Sequence, residues 1–298
     1  MNPLNNLYGA EIKNKFIETL TTERERREAL RCFEAFSYSE DMHDCHLFEM
    51  NADMLVNTIH LSTITPATSS TAQAIKTFLI KYHKWAQSNG LVSSPNPLAK
   101  IHAIDFCTKW AVKAKYVSSI EALQERLLNV QTFSPENGKW SMLFLGLLLV
   151  FDGLDHTKLG KLKYEDVNFE NKTIVFHGEV KSLSDVTLNY IREIHQWRNI
   201  TLPITVTFKN FNIEDNQYVI PRVPYGLKKF EGMYFSKTLS QFKSRNETLS
   251  NDDSEWCSAE SVQQAGKFYR VYTGAADNKF DSQEQYIYEF WLDAHYPC

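Results

Sequence analysis

The sequence predicts a mainly α-helical protein with a small antiparallel β-sheet, organised in two domains of residues 1–116 and 117–298. Apolar residues recur every three or four positions through most of the chain, which is the period of an amphipathic helix. Strand-like runs are short and confined to the stretch between residues 171 and 220. With 298 residues, the chain is long enough to bury two hydrophobic cores.

Three helices are predicted in the first domain. The first covers residues 9–36, where apolar side chains recur at intervals of four. The second covers residues 70–89, because Ser70 and Gln73 have the spacing of a capping box just before an apolar periodic run. The third covers residues 99–116 and carries four lysines against a single aspartate. A Val-Ser-Ser turn then marks the predicted domain boundary.

The second domain is predicted to open with a helix capped by Ser119 and to continue with a buried helix. The apolar run from Met142 to Phe151 indicates that buried helix, and it is far shorter than the ~20 residues of a membrane span. The remaining predicted elements are a hairpin beginning at Asn171, a helix over 186–197, strands at 204–208 and 218–220, and helices over 227–247, 261–275 and 285–295.

Cysteine usage and hydropathy predict a cytoplasmic protein. The five cysteines are odd in number, scattered and without a CxxC pair, which favours reduced thiols over a disulfide framework. No basic segment followed by an apolar run, as in a signal peptide, occurs near the first residue. We therefore expect no membrane partner.

Charge is unevenly distributed along the chain. The formal net charge is −4, yet residues 59–130 carry a net +5, between a segment 1–58 with −5 and a segment 251–298 with −6. Because salt screens charge beyond about 10 Å, a local basic face can bind phosphates even on an acidic protein. A lysine-rich solvated surface is the alternative. The candidate DNA contacts in this block are Lys76, Lys81, Lys84, Lys100, Lys109, Lys113 and Lys115.

Two other polar clusters have a structural explanation and a functional one. Arg24, Arg27 and Arg31 alternate with glutamates, which is typical of a solvated helix face, although phosphate binding is the alternative. The segment 41–46 contains aspartate, histidine and cysteine, but no second cluster completes a four-ligand zinc site. We therefore predict a polar loop there, and neither a metal nor a cofactor.

The stretch from Trp140 to Phe176 resembles the start of the catalytic domain of tyrosine recombinases, the phage integrases. In that family an apolar helix runs into a Gly-Leu-Arg turn, and the arginine is catalytic. Here Gly153-Leu154 is followed by Asp155, so the charge at this position is reversed. The matching positions after the turn are Leu159, Leu162, Glu165-Asp166-Val167 and Ile174-Val175-Phe176. The helix ending near Trp85, with Asn89-Gly90 and Asn96-Pro97 after it, also resembles the family's helical core-binding domain, which grips one side of DNA.

The resemblance further implies an inactive catalytic-like domain over residues 117–298. In the tract SVQQAGKFYRVYTGA, Arg270 matches the second catalytic arginine, but Lys267 stands where the family has histidine. Lys181 is the nearest match to the catalytic lysine of the β-hairpin. Tyr296 is too close to the preceding helix to match the nucleophile. A salt bridge between Arg270 and a buried carboxylate is the structural alternative for that residue.

Within this fold, the chain is most similar to the SPβ-type prophage lytic-cycle repressors. That resemblance implies a sequence-specific protein that binds operator sites in double-stranded DNA, maintains lysogeny and has no recombinase activity. A phage antirepressor protein would be a further partner, and the short tail after the last helix favours a monomer. The DNA contacts expected from the second domain are Lys181, Lys228, Lys237 and Arg270. An active or partner-dependent recombinase and a protein-interaction module that does not bind DNA are the two alternatives.

Overall fold

Most residues that the structure describes lie in α-helices, and the other regular structure consists mainly of two small antiparallel sheets and short 3-10 helices. The prediction of a mainly α fold with small antiparallel β-structure is confirmed. The residues described by this computed structural model are 7–204, 207–213, 217–221, 232–245 and 255–297.

The chain forms two compact units, and their boundaries differ from those of the predicted domains. The first unit comprises Met1–Val112 and Phe280–Cys298, and the second comprises Lys113–Lys279. The last helix, Ser282–His295, therefore belongs with the N-terminal helices rather than with the second domain. Its Trp291 is fully buried, and its Asp293 forms a salt bridge with Lys109 of the same unit.

The helices of the first unit are numbered in chain order. They are α1 (Ala10–Glu18), α2 (Glu23–His43), α3 (Ala52–Leu61), α4 (Ser69–Ser88) and α5 (Lys109–Lys115), the last of which continues into the second unit; short 3-10 helices lie at Pro97–Lys100 and Ala103–Phe106.

The prediction of one helix over residues 9–36 is wrong, because a capping box begins a new helix at Glu23. The Thr22 hydroxyl accepts a hydrogen bond from the Glu25 N–H, and the Glu25 carboxylate accepts one from the Thr22 N–H, both at 3.2 Å. These two bonds satisfy donors that a continuous helix would have satisfied through its own carbonyls.

Two further helix predictions in this unit need correction. The segment 99–116 is not one helix, since two 3-10 turns precede α5. The N-cap of α4 is Thr68 rather than Ser70, because the Thr68 hydroxyl accepts the Thr71 N–H at 3.3 Å. The rest of α4 follows the prediction and ends at Ser88, next to the predicted Asn89-Gly90 stop.

The core of the first unit is an aromatic cluster with one ion pair inside it. Phe16 of α1 and Phe33 of α2 both contact Tyr82 of α4, with ring centroids 4.9 and 5.0 Å apart. Beside them, the fully buried ammonium of Lys13 pairs with the fully buried carboxylate of Glu40. This pair connects α1 to the C-terminal half of α2.

The elements of the second unit follow in chain order. They are α6 (Ile120–Val130), α7 (Gly138–Phe151), β1 (Val167–Asn168), β2 (Thr173–Phe176), β3 (Glu179–Ser182), α8 (Asp185–Gln196), β4 (Asn199–Ile204), β5 (Thr207–Asn212), α9 (Gly232–Arg245) and α10 (Ala259–Tyr272), with 3-10 turns at Pro135–Asn137, Leu159–Lys161 and Tyr164–Asp166; the last helix, Ser282–His295, is α11.

The predicted hairpin after Asn171 is present as β2 and β3, which pair antiparallel around a turn at His177 and Gly178. Both turn residues have positive φ, as a tight two-residue hairpin turn requires. The strand predictions at 204–208 and 218–220 are wrong in detail. Ile204 ends β4, residues 207 and 208 begin β5, and Tyr218 forms an isolated bridge with Lys163.

Candidate nucleic-acid interface

The candidate site is built around the crossing of α7 and α10. A Cβ on Gly266 of α10 would lie 1.9 Å from the carbonyl oxygen of Phe151, so only glycine permits this approach. The close crossing places Arg270, one helical turn after Gly266, beside the C-terminal end of α7.

The Arg270 guanidinium is bound by groups of the protein itself. It donates a hydrogen bond to the Phe151 carbonyl and lies against Gly153, 3.1 Å from where a Cβ would be. Gly153 has φ +96°, so its conformation also favours glycine. Burial lowers the pKa of Arg270, and attraction to Asp152 opposes that shift. This attraction identifies half-buried Asp152 as an acid that acts on Arg270.

Asp152 is the acid whose charge acts on this guanidinium. Its carboxylate accepts hydrogen bonds from the Ser184 backbone N–H at 3.1 Å and from the Ser184 hydroxyl at 3.2 Å. Burial nevertheless raises its pKa to about 6, although hydrogen bonds from Thr187 and Ser184 and the charge of Arg270 act in the opposite direction. The C-terminal end of α7, the start of α8 and α10 are thus joined by one polar cluster.

Asp155, at the position of the family's first arginine, is an ionised carboxylate. It accepts hydrogen bonds from the Thr157 N–H at 2.9 Å and from the Thr157 hydroxyl at 2.7 Å. Burial acts to raise its pKa, but these bonds outweigh burial and lower the pKa overall. The structure therefore brings Arg270 next to the Gly153 turn, two residues before the negative charge of Asp155.

The other two predicted family positions lie on separate elements. Lys181 lies on β3, three residues after the hairpin turn, and its ammonium is 2.6 Å from the Glu179 carboxylate. Lys267 is half-buried on α10, one turn before Arg270.

Several lysines of the first unit that were predicted to contact DNA already bind other groups of the protein. The ammonium of Lys81 is 2.6 Å from Glu25, Lys109 pairs with Asp293, and the Lys76 ammonium donates to the Ile101 carbonyl at 2.5 Å. By contrast, Lys84 and Lys100 are exposed, and no carboxylate of the described residues pairs with either of them.

The remaining predicted lysines divide in the same way. Lys115 lies 3.7 Å from the Glu255 carboxylate, whereas Lys113 and Lys237 are exposed and have no carboxylate partner within the described ranges. Lys228 lies outside the described residues. Among the nominated lysines that the structure describes, those that are exposed and lack an acidic partner are therefore Lys84, Lys100, Lys113 and Lys237.

The sequence analysis did not nominate Lys139, Trp140 or Arg245 as contacts, although segment 227–247 is basic in the sequence. Lys139 at the start of α7 donates a hydrogen bond to Gln241 of α9 at 2.5 Å, and the Arg245 guanidinium lies 6.0 Å from the Trp140 ring centroid. The available signal was that α9 has three cations and no acid. Its contact with α7 joins residues about 100 positions apart, which no local pattern predicts.

The two alternative clusters remain ordinary surface features in the described part of the chain. Arg27 and Arg31 lie 4.0 and 3.9 Å from glutamates on their own helix, and Arg24 is exposed. Among the described residues, no three metal-capable side chains come together. No helix within the described ranges combines the length and the apolar character that crossing a bilayer demands.

Comparison with solved structures finds similarity to the Tn1549 transposon integrase, residues 82–397, in complex with circular intermediate DNA. The TM-score is 0.35 and the sequence identity is 12%, over 97% of this chain and 95% of that chain. A likeness at this level carries no argument about what the present chain binds. No protein-family model matches the sequence, and no curated protein matches it.

Proposed function

We propose that the protein is a sequence-specific double-stranded DNA-binding repressor of a phage, which maintains lysogeny and has no recombinase activity. The observation that carries the proposal is a set of cations without acidic partners on a protein of net charge −4. Within the described residues, this set includes Lys84, Lys100, Lys113, Lys139, Lys237 and Arg245.

The pairing pattern favours a polyanionic ligand. Several lysines are neutralised by carboxylates distant in sequence, such as Lys81 by Glu25 and Lys109 by Asp293. Acids are therefore available on this chain, yet the set lacks acidic partners in the described part of the chain, and all its members except the half-buried Lys139 are exposed. Phosphate contacts from such cations hold a protein in register on DNA, while side chains on base edges provide sequence specificity.

Three features support the absence of catalysis. The Asp155 carboxylate would repel a scissile phosphate at the position where a recombinase places an arginine. The Arg270 guanidinium already binds the Phe151 carbonyl and is attracted to Asp152, so a phosphate would have to compete with both. The family's covalent route also needs a tyrosine nucleophile, and Tyr296 of the described residues instead packs against Trp291.

The proposal is tested by a gel shift against a library of genomic and prophage DNA fragments at two salt concentrations. We expect a few fragments to stay bound at the higher salt, because base contacts resist salt while phosphate contacts do not. A bound fragment placed upstream of a reporter should lower transcription when the protein is present. Weak, salt-sensitive binding to every fragment would contradict the proposed repressor function. No binding at all would favour the protein-interaction alternative.

The recombinase alternative has its own test. Incubation with a nicked suicide substrate made from the bound fragment would trap a tyrosyl–DNA adduct on a denaturing gel. We expect no adduct, and any protein–DNA band that survives denaturation would establish catalysis.

A further inference from the structure

A row of polar side chains runs along one face of α9. Lys237, Gln241 and Arg245 follow each other at intervals of four, so they lie about 6 Å apart along the helix axis. Lys237 and Arg245 are exposed, and Gln241 between them is half-buried. We call this row, together with Lys139, the α7–α9 cation stripe.

Lys139 reaches the middle of this row from α7. Its ammonium donates a hydrogen bond to the Gln241 side-chain oxygen at 2.5 Å and lies 5.0 Å from the centroid of the Trp140 ring. The Arg245 guanidinium lies 6.0 Å from the same ring, and Trp140 packs on Phe242 with centroids 5.5 Å apart. The indole therefore holds two cations of the stripe side by side.

This crowding of like charges has no compensating acid within the described residues. Neither α7 nor α9 contains an aspartate or glutamate, and no carboxylate pairs with Lys139, Lys237 or Arg245 in the part of the chain that the structure describes. Burial lowers the pKa of Lys139, and Arg245 and Lys237 lower it further. Cations are held together against their repulsion most readily where an anion binds between them.

The dimensions indicate which anion. Lys237 and Arg245 are eight residues apart on one helix, which spans about 12 Å. One strand of DNA carries a charge about every 3.4 Å along the helix axis, so a row of this length faces several phosphates rather than one.

We propose that the α7–α9 cation stripe binds the phosphate backbone of nucleic acid at a place separate from the Arg270 end of α7. The 14 residues of α7 put about 20 Å between its two ends. Contact here would anchor the second unit independently of the Asp155 turn. The inference rests on the proposed DNA-binding function and adds Lys139, Trp140 and Arg245 to the Lys237 contact that the sequence analysis already expects.

The test compares Lys139→Gln/Arg245→Gln with Lys243→Gln as the matched control. Lys243 lies on α9 but two positions from Gln241, which turns it about 200° away, towards Cys257. Affinity for the operator fragment from the library screen, and for an unrelated duplex of equal length, is measured from low to high salt. We expect the double variant to reduce the salt slope by about two and affinity for both duplexes tenfold or more, whereas the control stays within twofold of wild type.

Lys237→Gln is the second variant, because this exposed residue can be changed without disturbing the core. This variant should lower the slope of log K against log salt by about one. Wild-type slopes in both stripe variants, in a protein that still binds DNA and loses slope on Lys84→Ala, would overturn this inference alone. Absence of DNA binding by the wild-type protein would overturn the proposed function as well. If the stripe variants lose binding to polyglutamate but bind DNA as wild type does, the ligand of the stripe is an acidic protein segment rather than nucleic acid. That result would likewise overturn the inference.

Discussion

Arg270 donates a hydrogen bond to the backbone carbonyl of Phe151, 119 positions earlier in the chain. The last carbonyls of a helix have no partner within the helix, and they form the negative end of its dipole. Arg270 satisfies one of these acceptors on α7 and places a positive charge at the helix end that favours it. The arginine at the expected catalytic position is therefore already committed to the fold.

Gly266→Ala should be strongly destabilising. The new Cβ would lie 1.9 Å from the Phe151 carbonyl oxygen, a backbone atom that cannot move without separating α7 from α10. We expect a loss of about 3 kcal/mol or more in the free energy of unfolding, measured by urea denaturation.

Gly90→Ala is the control for that variant. Gly90 also has a left-handed backbone conformation, with φ +72°, but no atom lies within 4 Å of the position that a Cβ would take. It should lose only about 1–2 kcal/mol, the usual penalty for a left-handed residue with a side chain. Equal losses in the two variants would show that the α7–α10 crossing is looser than 1.9 Å implies.

Asp152→Asn should change how stability depends on pH. Burial raises the pKa of Asp152 from 3.8 to about 6 in the folded protein, so the folded state holds a proton that the unfolded state has released between these values. Stability contributed by this carboxyl is therefore present below about pH 4 and lost as the pH rises to about 6. Relative to wild type, the variant should lack a decline of about 2–3 kcal/mol across that window in chemical denaturation.

Asp155→Asn gives the opposite sign and is the matched comparison. The folded-state pKa of Asp155 is lowered, so its contribution is present above its unfolded value and lost as the pH falls through its folded value. The stability difference between wild type and this variant should therefore be constant above about pH 4 and shrink below it. Because burial also raises the pKa of Glu40 to about 7, part of the decline should remain in Asp152→Asn, and identical declines in wild type and variant would assign all of it to Glu40.

Local patterns predicted the elements whose signals lie within a few residues. Ser119 caps α6 by accepting the Ala122 N–H at 3.2 Å, and the apolar run after Trp140 forms the buried α7. The break between α1 and α2 was also readable, because Thr22 and Glu25 have capping-box spacing. The apolar periodicity on both sides of Thr22 predicts one continuous helix, and this prediction is wrong because the capping box begins a second helix.

The pairing of charges could not be predicted, because the partners are distant in sequence. Nothing near Lys109 indicates that Asp293 neutralises it, and nothing near Arg270 identifies Asp152 as the buried acid beside it. The position of α11 in the first unit was missed for the same reason, since its apolar face would fit either core. Only the folded chain separates engaged cations from available ones.

The Lys13–Glu40 pair should show strong coupling in a double-mutant cycle. Both side chains are fully buried, and the Glu40 carboxylate also accepts the Leu47 N–H at 3.1 Å. Lys13→Met or Glu40→Gln alone leaves a charged group buried without its partner, which costs about 3–5 kcal/mol. Lys13→Met/Glu40→Gln should recover much of that loss in thermal or urea unfolding, because neither charge remains.

The exposed pair Lys15–Glu11 on the same helix is the control for this cycle. Its groups are 2.7 Å apart, but their side chains are 62% and 83% exposed, so solvent screens the attraction. We expect a coupling energy below about 0.5 kcal/mol. Additive losses at Lys13 and Glu40 would mean that the buried pair does not act as a unit.

Lys84→Ala should weaken binding to every DNA sequence to a similar degree. Lys84 is exposed on α4, and no carboxylate of the described residues pairs with it, so its charge is available to a phosphate. Loss of one phosphate contact lowers the dependence of log K on log salt by about 0.9 for duplex DNA. The measurement is a salt titration of binding to the operator fragment and to an unrelated fragment, in wild type and variant.

Lys109→Ala tests whether a lysine of the basic block contacts DNA even when a carboxylate already pairs with it. Lys109 belongs to the same basic block and is also exposed, but Asp293 of α11 already neutralises it. Removing it should leave the salt slope unchanged, since counterion release needs a cation that exchanges water for phosphate. If Lys109→Ala lowers the slope as much as Lys84→Ala, DNA must break the Lys109–Asp293 pair on binding, and the sorting of lysines by their acidic partners would no longer predict contacts. If neither variant changes the slope, α4 and α5 lie outside the interface.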